Sequence, residues 1–160
     1  MRRVSLLALL AILVVLAGCT STTPGVSTRT TVSCSDSVRS TADPSGPVDP
    51  ASFPSRPRSL NNATAKRYAV AYERAYAHNG ALTDATTNAS VSVGNVSVTK
   101  VGSAYEVRLW SQTTTTDRDG TTHVADRVLV TYNVTSSSLV RASGTGSYPS
   151  TSAAIVVECY

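Results

Sequence analysis

Residues 62–80, NATAKRYAVAYERAYAHNG, and residues 91–101, VSVGNVSVTKV, decide the fold. In the first stretch Ala65, Tyr68, Ala69, Tyr72, Ala75 and Tyr76 recur at i, i+3, i+4 and i+7, which lines one face of a helix. Lys66, Arg67, Glu73 and Arg74 fall on the opposite side. Asn61 or Asn62 can cap the start, and Gly80 stands where a left-handed C-cap would close the helix. The spacing predicts a helix over about 62–79. Three tyrosines at i, i+4 and i+8 suit either a ladder for ligand stacking or core rings whose hydroxyls reach the rim. The second arrangement is the commoner one.

In the second stretch the period drops to two. Val91 and Val93 alternate with serines, and Val96 and Val98 continue in the other parity across Gly94-Asn95. That slip makes either a bulge in one long strand or a tight hairpin. The bulge is favoured, because two four-residue strands would be marginal. Further on, Val101-Gly102-Ser103 turns the chain into a second strand, where Tyr105, Val107 and Leu109 alternate with Glu106, Arg108 and Trp110. Asp117 to Gly120 makes the next turn. Val124 to Val134 reads as a third strand, Leu139 to Ala142 as a fourth, and Ile155 to Val157 as a fifth or an edge segment. A helix followed by antiparallel strands buries its stripe on one sheet face. The expected fold class is therefore α+β: one N-terminal amphipathic helix packed on a 4–5-stranded antiparallel sheet, with a cystatin-like or NTF2-like outline, over residues 59–160.

Upstream of this domain the chain changes character twice. Arg2 and Arg3 precede an apolar run from Val4 to Ala17, too short for the roughly 20 residues that span a bilayer as a helix. It reads as a secretory signal peptide over residues 1–18, closing in Leu16-Ala17-Gly18-Cys19, which looks like a lipobox. Cys19 then takes the lipid, palmitate-type acyl chains in a diacyl modification. Residues 19–58 follow as a lipidated, Pro/Ser/Thr-rich tether: Pro, Gly, Ser and Thr fill 24 of the 39 positions from 20 to 58, and Phe53 is the single aromatic there. Such composition buries too little apolar surface to offset its ordering entropy. With Cys19 lipidated, an even pair of cysteines is left in a compartment where disulfides persist, and a Cys34–Cys159 bond is the simplest pairing; two free surface thiols are the alternative.

Composition sets further bounds. The 160 residues carry 14 Lys+Arg against 10 Asp+Glu and are 41% hydrophobic, which excludes an acidic disordered chain. The formal +4 falls to +2 once Arg2 and Arg3 leave with the signal peptide, and no basic cluster exists, so no nucleic-acid partner is expected. The helix pattern after Pro57-Arg58-Ser59-Leu60, the lipobox and the terminal Val157-Glu158-Cys159 together resemble the uncharacterised lipoproteins of haloarchaea. That resemblance implies a location and no activity; an actinobacterial lipoprotein is the competing origin.

Catalytic signatures fail on inspection. Ser97-Val98-Thr99-Lys100 matches S-x-x-K, but in a strand i and i+3 point to opposite faces. Asp117-x-Asp119-Gly120 resembles half a calcium loop, yet Val128 occupies the position of the bidentate glutamate. His78 and His123 are far apart and belong to different elements, so no zinc spacing arises. Gly144-Thr145-Gly146 lacks the following helix of a phosphate cradle. No cofactor is expected. The recurring chemical motif is the N-glycosylation sequon, at Asn62, Asn88, Asn95 and Asn133, of which Asn88 and Asn95 are the better placed acceptors. The expected protein is a lipid-anchored, extracytoplasmic, non-catalytic binding or cell-envelope module. It is held at the cell membrane through Cys19 and meets an envelope protein or small ligand. Alternatives are a small-ligand domain with a helix–sheet pocket and, behind it, a cell-surface hydrolase.

Overall fold

The computed structural model describes residues 46–144 and 154–160. Cys19, Cys34, the signal peptide and the first part of the expected tether lie outside the described residues. One helix, α1 (Asn62–Ala81), is followed by strands β1 (Thr86–Val101), β2 (Ala104–Asp117), β3 (Thr122–Val124), β4 (Val128–Val134), β5 (Ser138–Gly144) and β6 (Ile155–Cys159). All pair antiparallel in the order β1-β2-β4-β5-β6, with β3 on β2 beside β4. The fold is α+β, as the periodicity indicates.

The start of α1 is closed by a capping box. Asn61, extended at φ −147, accepts from the Thr64 N–H at 2.9 Å, and Thr64 Oγ1 accepts the Asn61 N–H at 2.9 Å. Asn61 is therefore the cap and Asn62 the first helical residue. The other end departs from expectation. Gly80 lies inside the helix, which runs on to Ala81, and Leu82 ends it in an extended conformation. The buried Asn79 explains the difference: its Oδ1 accepts from the Ala51 N–H at 2.7 Å and its Nδ2 donates to the Ala51 carbonyl at 3.0 Å. This clamp holds the last turn, so no left-handed glycine is needed.

The clamp also shows that α1 is not N-terminal in the folded unit. Residues 51–60 run back along the helix from its C-terminal end. The Phe53 ring sits 4.7 Å from that of Tyr72, and both Phe53 and Leu60 pack on the core. Proline-rich composition hides this docking, because two apolar side chains, Phe53 and Leu60, suffice to seat a short strap against an existing helix.

The sheet has six strands and not four or five. The expected third strand breaks at Ala125-Asp126-Arg127. Thr114 pairs with Val124 and Ser111 with Val128, so three residues oppose two and one is extra. Ala125 keeps a bond to β2 through its N–H to the Thr113 carbonyl at 2.9 Å, while Arg127 turns back over Trp110. Strand β1 carries the bulge foreseen at Gly94-Asn95. Its register slips between Gly94 and Ser97, with Asn95 left-handed at φ 52. The slip lets Val93 and Val96, of opposite parity, both pack toward the helix. Gly102, at φ 63, opens a two-residue hairpin with positive φ at the first central position, the pattern of a type II′ turn.

Between helix and sheet the core is filled. Ala65, Tyr68, Ala69 and Tyr72 meet Val107, Leu109, Val130, Tyr132, Val134, Leu139 and Val157. Edge-on ring contacts link Tyr68 to Tyr72 and Tyr72 to Tyr132 at 6.0 and 6.2 Å between centroids. Tyr68 and Tyr72 are thus core rings, the Tyr72 hydroxyl itself being buried against the Val157 carbonyl, and Tyr76 is partly buried.

Candidate functional site

Within that apolar layer sits a charged group that helical counting had assigned to solvent. Glu73 is fully buried. Arg141 on β5 reaches it with two parallel bonds, Nε to Oε2 at 2.9 Å and Nη2 to Oε1 at 3.1 Å, and Tyr132 on β4 donates to Oε2 at 2.7 Å. Register explains the meeting: Tyr132 is opposite Arg141, and both lie on the sheet face that carries Leu139. The guanidinium also lies 4.5 Å above the Tyr76 ring. Burial works against the Arg141 charge, but the hydrogen bond and the charge of Glu73 outweigh it and hold its proton more tightly than usual. Burial, then the Glu73 charge, pushes the Tyr132 phenol well above its ordinary range, with Arg141 opposing. The outcome is a locked Glu⁻–Arg⁺ pair under a neutral phenol.

An open cleft of about 290 Å³ leads down to this pair. Its walls include Tyr76 and Gly80 of the helix, Ser111 and Thr113 of β2, and Asp126 of the bulge, with Arg141 at the base. Ser111, 2% exposed, lines the cleft, and the buried side-chain oxygen without a partner among the described residues is Thr131 Oγ1. Two Arg141 nitrogens serve Glu73, which leaves N–H groups at the cleft base without a described partner. A second recess of about 180 Å³, reaching Thr115, His123 and Val124, shares Ala81, Thr113 and Ala125 with the first.

At the other end of α1 the polar rim ties down the C-terminus. Tyr68 donates its proton to Glu158 Oε2 at 2.6 Å and shares a short hydrogen bond with the Tyr160 hydroxyl. Burial and then these bonds raise the Tyr68 phenol far above its usual value. Arg56 of the strap stacks over Tyr160 at 4.3 Å, and Tyr72 donates to the Val157 carbonyl at 2.9 Å.

No match was found. Family models, curated proteins and solved structures all fail to align with this chain. The site therefore stands on its own geometry.

The residues singled out in sequence are placed as follows. Cys159 closes β6 and is disulfide-bonded. Asn62, Asn88, Asn95 and Asn133 are all exposed, and no strand register sets one of the last three opposite another. Asn133 lies mid-strand between β2 and β5, whereas Asn88 and Asn95 lie on β1, which among the described residues pairs only with β2. Ser97 and Lys100 are in β1 opposite Arg108 and Tyr105, on opposite faces, so they form no pair. Asp117 and Asp119 belong to a turn: Gly120 donates to the Asp117 carbonyl, and Asp119 Oδ1 caps the Thr121 N–H at 2.9 Å, a bond that lowers its carboxyl's pKa. His78 touches the Asp49 carbonyl, and His123 pairs with Asp117 at 3.0 Å. Among the described residues no three metal-capable side chains cluster. No described helix is long and apolar enough to cross a membrane.

Glu73, Arg141, Tyr132 and Ser111 escaped sequence reading. One signal was present. Glu73 is four residues after Ala69 and three before Tyr76, so it borders the apolar stripe, and Arg141 shares the strand parity of Leu139.

Proposed function

We propose that this chain is a lipid-anchored, extracytoplasmic binding module, attached through a diacylated Cys19 and non-catalytic. The observation that carries the binding reading is the open cleft over the Glu73–Arg141 pair. Its buried carboxylate is held by three hydrogen bonds, which suits a rigid recognition surface better than a group that must gain and lose protons. The lipobox-like Leu16-Ala17-Gly18-Cys19 and the proline-rich approach to the domain support the tethering. The meander of strands behind one helix supports a cystatin-like or NTF2-like outline. A haloarchaeal-type lipoprotein with glycans at Asn88 or Asn95, and with Cys34 bonded to Cys159, fits the same reading.

Three measurements on the native host test it. Wild-type protein should sediment with membranes, incorporate an alkyne-tagged fatty acid and be cut by protease added to intact cells. Cys19→Ser should lose the label and leave the membrane fraction. A protease-protected, unlabelled protein in the cytosolic fraction overturns the reading.

A further inference from the structure

The cleft above Arg141 has a donor and acceptor pattern that narrows its occupant. Ser111 is 2% exposed and lines the cleft, where its hydroxyl can be met by water or by a ligand. Beside it are the Thr113 hydroxyl, the remaining N–H groups of Arg141 and the exposed carboxylate of Asp126. The ionisable carboxylates and guanidinium in this lining are Glu73, Asp126 and Arg141, and Arg141 is already neutralised by Glu73. An incoming anion would meet a paired cation and a free carboxylate, so net charge works against it. A bare cation would meet Asp126 alone, with the guanidinium behind.

A ligand that both gives and accepts hydrogen bonds while staying neutral uses every group. Adjacent hydroxyls on one ring match a planar guanidinium edge and a carboxylate, each of which can bridge two oxygens. Gly80 and Ala81 contribute almost no side chain, which leaves room for a ring to approach the helix. The adjoining recess then continues past Thr115 to Val124, an apolar side chain that is 62% exposed and suits the C–H face of a second ring.

We infer that this groove binds a neutral saccharide of about two rings, one over Ser111, Thr113, Asp126 and Arg141 and the other against Val124. The inference rests on the binding-module reading and names its ligand class. Volumes of about 290 and 180 Å³ each lie below the about 300–1,000 Å³ of ordinary ligand sites. Weak, millimolar affinity is expected.

The test uses the full-length protein in detergent and saturation-transfer NMR with cellobiose, maltose, lactose and chitobiose, with glucuronate and acetate as anionic comparators. At least one disaccharide should receive saturation, and its dissociation constant should rise about tenfold, some 1.4 kcal/mol, in Ser111→Ala and in Asp126→Asn. Both substitutions spare the buried ion pair, and an unchanged thermal midpoint verifies folding. Val124→Ser should weaken a disaccharide more than its monosaccharide. Three results overturn the inference: no transfer to any disaccharide, binding unchanged within twofold in both variants, or acetate and glucuronate binding more tightly than the neutral sugars. A protein that binds none of the sugars yet is lipid-labelled and cut on intact cells refutes only the saccharide. One that binds sugar but stays in the cytosol supports the saccharide and refutes the tethered placement.

Discussion

Glu73 and Arg141 lie 68 residues apart in sequence and meet through two parallel hydrogen bonds, the carboxylate fully buried and the guanidinium side chain 10% exposed. A pair like this is costly to break from one side, because the survivor keeps its charge without compensation. Glu73→Gln should destabilise the domain by about 3–5 kcal/mol. Tyr132→Phe removes one bond to a charged acceptor and should cost about 1.5–3 kcal/mol. Replacing both ions together, Glu73→Leu with Arg141→Met, should recover most of the loss. Urea denaturation reads all three. A Glu73→Gln variant within 1 kcal/mol of wild type would show that the pair carries no such burden.

High pH should unfold the domain through its phenols. Tyr132 and Tyr68 both have pKa values raised above the ordinary 10.0, by burial first and then by the carboxylates they bond. A raised folded value means that the protonated phenol's contribution is whole below pH 10 and declines as pH rises beyond it. For Tyr132 the decline is about 1.4 kcal/mol per pH unit. Tyrosinate absorbance from these rings should appear together with loss of near-ultraviolet dichroism. Seven tyrosines titrating smoothly near pH 10 with the dichroism intact would contradict this.

The Asn79 clamp predicts where the domain loosens first. Asn79→Ala leaves both the N–H and the carbonyl of Ala51 unbonded and should cost about 1–3 kcal/mol. Trypsin should then cut faster after Arg58, in the strap, than after Arg67 or Arg74 in the helix. Equal acceleration at all three sites would mean the strap does not release independently of the helix.

The disulfide of Cys159 has two possible partners by composition, Cys19 and Cys34. We expect Cys34. Non-reducing peptide mapping should recover a linked 34–159 pair, and Cys34→Ser should lower stability by about 2–4 kcal/mol. A 19–159 link would remove both this pairing and the lipid attachment at once.

Local pattern carried most of the fold. The bulge at Gly94-Asn95 is legible because four valines state two parities within eight residues, and only one backbone device reconciles them. The capping box is equally local. Glu73 was misplaced because a charge beside Lys66, Arg67 and Arg74 reads as solvent-facing until its partner is found on β5. Break points depend on neighbours too: nothing in Ala125-Asp126-Arg127 itself says that β2 offers one residue fewer. The same holds for Phe53, whose ring docks only because Tyr72 leaves a surface for it. Of the candidate site, Tyr76 and Gly80 lay within stretches that pattern analysis had marked, while Ser111 and Arg141 needed the register.

Asn95 has a further consequence, for how molecules sit beside one another. Strand β1 spans 16 residues and, among the described residues, pairs on one side only, with β2. A long straight strand with open N–H and C=O groups is a template on which another chain can pair. The register breaks after Thr86 and Gly94 interrupt that ladder, leaving runs of seven residues, Asn88 to Gly94, and five, Ser97 to Val101. A bulged strand bends and twists more sharply, so two such edges cannot stay in contact along their length. The residue that turns the valines inward thus also works against edge-to-edge pairing of two such domains.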